Sequence, residues 1–247
     1  MRPSVIHRLF PAAVLLPLAL AGAALAAPSA DEILADAIAY HDPEGAWGRS
    51  GVQLTVEESR PDGSKRETVL EIDPQHEHFL FQTHAGTVTY EGQLDGETCT
   101  TRLNGSEEIS KKDRREYRLT CDRVAGSRNY YTFLWGLPMK LRDAGTILHP
   151  DVRETTFGER PALEVKVTYE EGVGTDTWYV YFDPMSHALA GYRFYHDEAK
   201  GDGEYIYLEG ETEGAGLRLP RERAWYTHEK DEYLGTDTLI GIEKLGG

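Results

Sequence analysis

Three histidine–carboxylate groupings are the side chains in this sequence whose types and spacing suit chemistry. His76-Glu77-His78 sets two imidazoles two residues apart. On a strand such positions face the same side, so both rings can grip one zinc ion. A site needs a third ligand, and the neighbouring Asp73-Pro74 favours the plainer reading of exposed polar residues near a strand end. His41-Asp42 and His196-Asp197-Glu198 each put an imidazole beside a carboxylate, which raises the His pKa and orients the ring. If His41, Asp42 and His196 meet in one cleft, with Glu204 nearby, they form a general acid/base site of the kind a hydrolase or lyase uses. The plainer readings are a histidine held at a helix C-terminus by the dipole and a turn rich in acids. The sequence has no nucleophile elbow, no G-x-x-x-x-G-K-[ST] phosphate loop and no H-E-x-x-H zinc motif. No cofactor is therefore expected, and no residue is assigned to catalysis.

Those groups sit in an acidic chain. Of 247 residues, 42 are Asp or Glu and 26 are Lys or Arg, a formal charge of −16. Such a field repels phosphate backbones and anionic lipid surfaces, which excludes general nucleic-acid binding. Hydrophobic residues at 40% and aromatics at 10% supply a core and rule out a disordered chain. One stretch runs against the charge: Lys111, Lys112, Arg114, Arg115, Arg118 and Arg123 fall close together. They form either a solvated helix or loop face, or a docking patch for an acidic partner.

The first 26 residues read as an export leader. Arg2 and Arg8 precede an apolar run that ends in Ala24-Leu25-Ala26, the small residues a signal peptidase reads. The run is short for a membrane span and contains Pro17, and no Cys stands at the cleavage point for a lipid anchor. The expectation is a soluble periplasmic or secreted protein starting near Ala27, without stable membrane insertion. Cys99 and Cys121, the only cysteines, then suggest a disulfide. It closes a loop of about twenty residues and contributes roughly 3 kcal/mol on the chain-entropy model. Two separate buried thiols are the alternative, and a metal site is disfavoured because no His adjoins either sulfur.

Positioning elements follow from periodicity. Ser29-Ala-Asp-Glu32 is a capping box, and Ile33, Leu34, Ala37 and Ile38 recur at helical spacing until Asp42-Pro43. From Val52 the period is two, with Gly-, Pro- and Asp-rich turns at short intervals, the pattern of an antiparallel meander. Ser127 to Trp135 reads as a second helix, with Ser127 as cap, Gly136 as its end and Pro138 beyond. From Val152 to Ile242 the alternation returns, and Trp178-Tyr-Val-Tyr-Phe182 is apolar on both faces, which predicts a strand covered on both sides. About eleven strands result, in a single domain over 27–247. A sheet that large curls, and helices 30–41 and 127–135 are the available cover for its hollow side. A curled sheet under helices encloses a pocket.

Several stretches carry a resemblance over nearly the whole chain after the leader: Ala39-Tyr40-His41-Asp42-Pro43, Leu134-Trp135-Gly136-Leu137-Pro138-Met139-Lys140-Leu141, Thr175-Asp176-Thr177-Trp178-Tyr179, Gly191-Tyr192-Arg193-Phe194-Tyr195-His196 and Leu234-Gly235-Thr236-Asp237. In these the sequence resembles an uncharacterised family of exported bacterial proteins assigned to the half-barrel fold of the LolA/LolB-like lipoprotein-carrier superfamily. The resemblance implies a mainly β, α+β half-barrel of about eleven antiparallel strands, with helices in the concave face. Through architecture alone it implies binding of a lipid or acylated protein. The residues expected to line such a pocket are Tyr131, Trp135, Leu137 and Met139, together with Tyr130 and Phe133, because flat aromatics and a flexible Met adapt to acyl chains. The alternative is that this helix is simply packed into its own core. The expected partner is a lipid or other apolar small molecule.

Overall fold

The computed structural model describes residues 27–246; the leader expected at 1–26 lies outside them. The chain opens with α1 (Ala30–His41). Both halves of its capping box form: Ser29 Oγ accepts from the Glu32 amide at 3.3 Å, and the Ser29 amide donates to Glu32 at 2.8 Å. Ala30, Ile33, Leu34, Ala37 and His41 make its buried face. Asp42 stops the helix and accepts from the amides of Ala46 and Trp47, at 2.5 and 3.1 Å.

Two meanders follow. The first is β1 (Val52–Ser59), β2 (Lys65–Asp73), β3 (His78–Ala85), β4 (Val88–Asp95) and β5 (Thr98–Leu103). The second is β6 (Thr146–Phe157), β7 (Arg160–Tyr169), β8 (Thr177–Phe182), β9 (Leu189–Tyr195), β10 (Glu204–Gly214), β11 (Leu217–Thr227) and β12 (Tyr233–Lys244). The first strand pairs with the last, so all twelve join one curved antiparallel sheet in the order β5-β4-β3-β2-β1-β12-β11-β10-β9-β8-β7-β6. Twelve strands agree with the expected count of about eleven; β6 starts at Thr146, ahead of Val152, and its pairing with β7 slips between Leu148 and Val152.

The topology dictates where the remaining helices lie. β5 and β6 are opposite edges of the sheet, so the segment joining them must cross one face. It does so as α2 (Lys111–Glu116) and α3 (Cys121–Trp135). The second helix is longer than the expected 127–135, and Ser127 lies inside it. Its Ncap is Thr120, which makes no side-chain capping bond. Anchors hold this start instead: the Cys99–Cys121 disulfide ties it to β5, and Leu119 and Val124 are fully buried. Gly92 on β4 admits the close approach, since a Cβ there would stand 2.7 Å from Val124 and 2.5 Å from Phe81.

Two apolar clusters fill the hollow side. One packs α1, Leu134 and Leu137 on β7–β11, with Val165, Val180, Phe182 and Ile206. The other packs α3 on β1–β4, with Leu54, Leu70, Phe79, Val124, Trp135 and Met139. Among the described residues no helix covers the outer face of β8. Tyr181 is buried there because Phe157 stacks on it at 3.9 Å, beside a row of further tyrosines from β10 and β11. The expected second cover of that strand is thus supplied by side chains of other strands.

Candidate functional site

The inner face of β1 reads Val52, Leu54, Val56, Glu58, all buried. The alternation that should end on an apolar residue ends on a carboxylate. Glu58 pairs across the sheet with Arg66 of β2 on one side and Asp237 of β12 on the other, and Asp237 pairs with Arg223 of β11. Four neighbouring strands therefore carry a row Arg–Glu–Asp–Arg beneath α3.

Its two ends differ. Glu58 accepts two bonds from Arg66, at 2.6 and 2.5 Å, one from Arg60 at 3.1 Å and one from Thr68 at 2.8 Å. That carboxylate is saturated. Arg223 is 1% exposed, the largest of the fully buried side chains. Its guanidinium lies 3.5 Å from the Trp135 ring centre and donates once, to the Pro220 carbonyl at 3.0 Å. Its Nε and Nη2 have no hydrogen-bond partner among the described residues, and neither has Oδ1 of Asp237. Burial, then the nearby Glu58 charge, pushes the Asp237 carboxyl up to about 6, although Trp225 Nε1 donates to it at 2.8 Å.

Open space adjoins this floor. On one flank of α3 a cavity of about 520 Å³ is walled by Phe133, Leu134, Trp178, Phe194, Trp225 and Leu234. Arg60, Asp176, His196, Glu204 and Asp237 supply its polar groups. It shares Phe133, Asp176 and Trp178 with an open cleft of about 870 Å³ at one end of the sheet. On the other flank a third space of about 590 Å³ lies between the helices and β2–β4. A water-sized gap of about 10 Å³, walled by Arg223, Asp237 and Glu58 among others, sits under Tyr130 and Tyr131. Tyr130, 49% exposed, borders the gap and the spaces on both flanks.

The residues singled out from sequence fall in different places. Tyr130, Tyr131 and Phe133 border the open spaces. Trp135, Leu137 and Met139 are packed into the two clusters, and of these only Trp135 reaches the small gap. His41 is 1% exposed, with Nδ1 bonded to the Arg218 carbonyl at 2.6 Å and Nε2 accepting from the Leu189 amide at 2.8 Å. Burial lowers its pKa, and both ring nitrogens are taken up in holding α1 to β9 and β11. Asp42 is spent on amides of its own turn. The structure does not bring them to His196, which pairs with Asp176 at 3.0 Å on the cavity wall; that bond raises its pKa, and burial raises that of Glu204.

His76 and His78 do not share a strand face. Glu77 takes a left-handed φ of 51° between them, ending a short 3-10 turn before β3 begins. His76 bonds Asp73 at 2.7 Å, while His78 is clasped by Glu71 at 2.9 Å and Asp95 at 2.6 Å. Burial alone would lower the pKa of His78; the two carboxylates outweigh it and raise it. Among the described residues no group of three His, Cys, Asp or Glu could hold a metal ion.

Periodicity did not reveal the charged floor, because Glu58, Arg66, Arg223 and Asp237 look like ordinary strand surface until the register places them. The one available sign was Glu58 itself, standing in the apolar phase of Val52-Leu54-Val56.

A family model described as a family of unknown function (DUF6503) matches residues 12–242. The chain belongs to that family. No curated protein matches the DUF6503 sequence. Among solved structures, it is similar to a LolA superfamily protein from Nitrosomonas europaea, at 12% identity and a TM-score of 0.50, covering 90% of this chain and 95% of that one. A DUF1329 family protein from Desulfovibrio piger matches at 8% identity and a TM-score of 0.49, covering 88% and 93%. At such identity the likeness to the first is one of fold: this DUF6503 member has a LolA-like half-barrel.

Proposed function

We propose that the protein binds an apolar ligand, a lipid or acyl chain, in the cavity between α3 and β8–β12, as a carrier or receptor in the bacterial envelope. The observation that carries this reading is the 520 Å³ space walled by six apolar side chains, four of them aromatic. Each methylene moved from water into such walls contributes about 0.8 kcal/mol, so a chain of ordinary length binds without any ionic contact. The roof supports it too. Over its fifteen residues α3 buries only Val124, Leu134 and Trp135, which leaves its flanks open to a ligand. The LolA-like fold and the export leader expected at 1–26 agree with a soluble periplasmic carrier, and no helix among the described residues is long and apolar enough to cross a membrane.

The test uses the dye N-phenyl-1-naphthylamine, whose emission rises in apolar surroundings, together with native mass spectrometry of the purified protein. The expected result is saturable dye uptake, displaced by fatty acid, and a co-purifying lipid. Phe133→Asp is expected to weaken dye binding at least about tenfold, the cost of putting a charge into an apolar wall. Absence of dye uptake by the unmodified protein overturns the reading.

A further inference from the structure

Lys111, Lys112, Arg115, Arg118, Arg123 and Arg128 are all exposed on α2, α3 and the turn between them. Twelve of the 24 basic side chains in residues 27–246 form ion pairs, and none of these six is among them. Residues 111–128 hold seven basic and three acidic side chains, a net +4, whereas the rest of the chain carries −20. Only the seventh cation, Arg114, works inside the fold, donating to Thr101 Oγ1 at 2.8 Å and the Leu119 carbonyl at 3.0 Å. Among the described residues three other exposed cations, Arg49, Lys230 and Lys244, also stand outside ion pairs, but they are scattered along the chain, whereas these six are concentrated in eighteen residues.

The patch does not stand over a plain surface. Two of its cations, Arg118 and Arg123, rim the 590 Å³ space beside Glu116 and Asp122, where Tyr90, Tyr117, Tyr130 and Tyr131 form walls, while Arg128 borders the open 870 Å³ cleft. Cations interleaved with tyrosines suit a boundary where phosphate meets hydrocarbon, because the ring is apolar and its hydroxyl polar. We propose that this face docks on an anionic lipid surface, Arg118, Arg123 and the exposed cations of α2 meeting headgroup phosphates and the tyrosine pocket taking the upper part of one lipid. An acidic protein would satisfy the charge but leaves the tyrosine-walled space without a role.

The overall negative charge does not forbid this contact. Beyond about 8 Å in physiological salt the −20 remainder is screened, while cations at the surface act within that distance. The same asymmetry turns this face, and no other, toward the lipid. Tyr130 belongs to the walls of both flanking spaces, so docking would set the apolar cavity beside the bilayer. The inference goes beyond the apolar-ligand reading and does not depend on it.

The experiment is flotation of the purified protein with vesicles of phosphatidylcholine alone or mixed with phosphatidylglycerol. Binding is expected only to the mixed vesicles and is expected to fall with added salt. The triple variant R115E/R118E/R123E is expected to bind at least about tenfold more weakly, and R115Q/R123Q to lose less, with circular dichroism checking that each folds. Equal binding to both vesicles, binding to neither, or an unaffected triple variant overturns the proposal. Tighter binding to polyglutamate than to the mixed vesicles also overturns it and assigns the patch to an acidic protein. Dye uptake in the same variants separates the two readings: it should be unchanged, and a protein that floats but takes up no dye loses only the cavity function.

Discussion

Helices α1 and α3 lie on the same hollow side of one sheet, yet they do opposite things. Five of the twelve residues of α1 are buried, and they fit an apolar stretch of the second meander. Three of the fifteen residues of α3 are buried, and its underside meets the charged row of Glu58 and Arg223 with open space on both flanks. One helix seals the fold. The other covers a charged row. The difference teaches that a roofing helix that forgoes burial leaves room along its flanks, because side chains that do not pack on the sheet do not fill the hollow.

The comparison is broken most severely through α1. Ile33→Ala removes a fully buried side chain and is expected to cost about 2–5 kcal/mol in denaturant unfolding. It should leave dye affinity unchanged; a matching loss of affinity would mean the two helices are not separable. Removing the disulfide with Cys99→Ser and Cys121→Ser acts on α3 and is expected to cost about 3 kcal/mol. Here dye affinity should change along with stability, since the tether positions the roof.

The two histidines sharpen the same contrast. His41→Ala orphans the Leu189 amide and the Arg218 carbonyl, an expected loss of roughly 2–3 kcal/mol. Because its folded pKa lies below the ordinary value near 6.5, the unfolded chain takes up the proton first. The stability His41 provides is therefore present above that value and lost as pH falls below it, and the gap between parent and variant should narrow from pH 7 to pH 5. His196 has the opposite sign. Its raised pKa means that its contribution is present below the ordinary value and lost as pH rises through the folded pKa. It is largely exposed, so His196→Gln is expected to shift stability by no more than about 0.5 kcal/mol, and only in acid. Thermal melts at the two pH values check both.

Much of the frame was legible because it depends on neighbours in sequence. Ser29 and Glu32 are three residues apart, so their capping box reads directly. Val52-Leu54-Val56 alternates because a strand has two faces, and Asp42, Asp73 and Asp183 mark real ends of elements. Ser127 misled because a cap is only one way to start a helix; the tether to β5 lies 22 residues away along the chain. His76-Glu77-His78 misled because spacing two implies a shared face only if the middle residue is extended, and Glu77 is left-handed.

By itself the sequence determined the charge, the alternation, the place of the turns and hence a large antiparallel sheet with too few helices to cover it. These follow from chemistry local to each segment. Only the tertiary structure decided that Arg66, Glu58, Asp237 and Arg223 stand in one row, and that His196 faces a cavity while His41 is locked in the frame. Those facts arise from the pairing of β1 with β12, residues nearly the whole chain apart. No local preference encodes that register; the joint burial of both meanders fixes it.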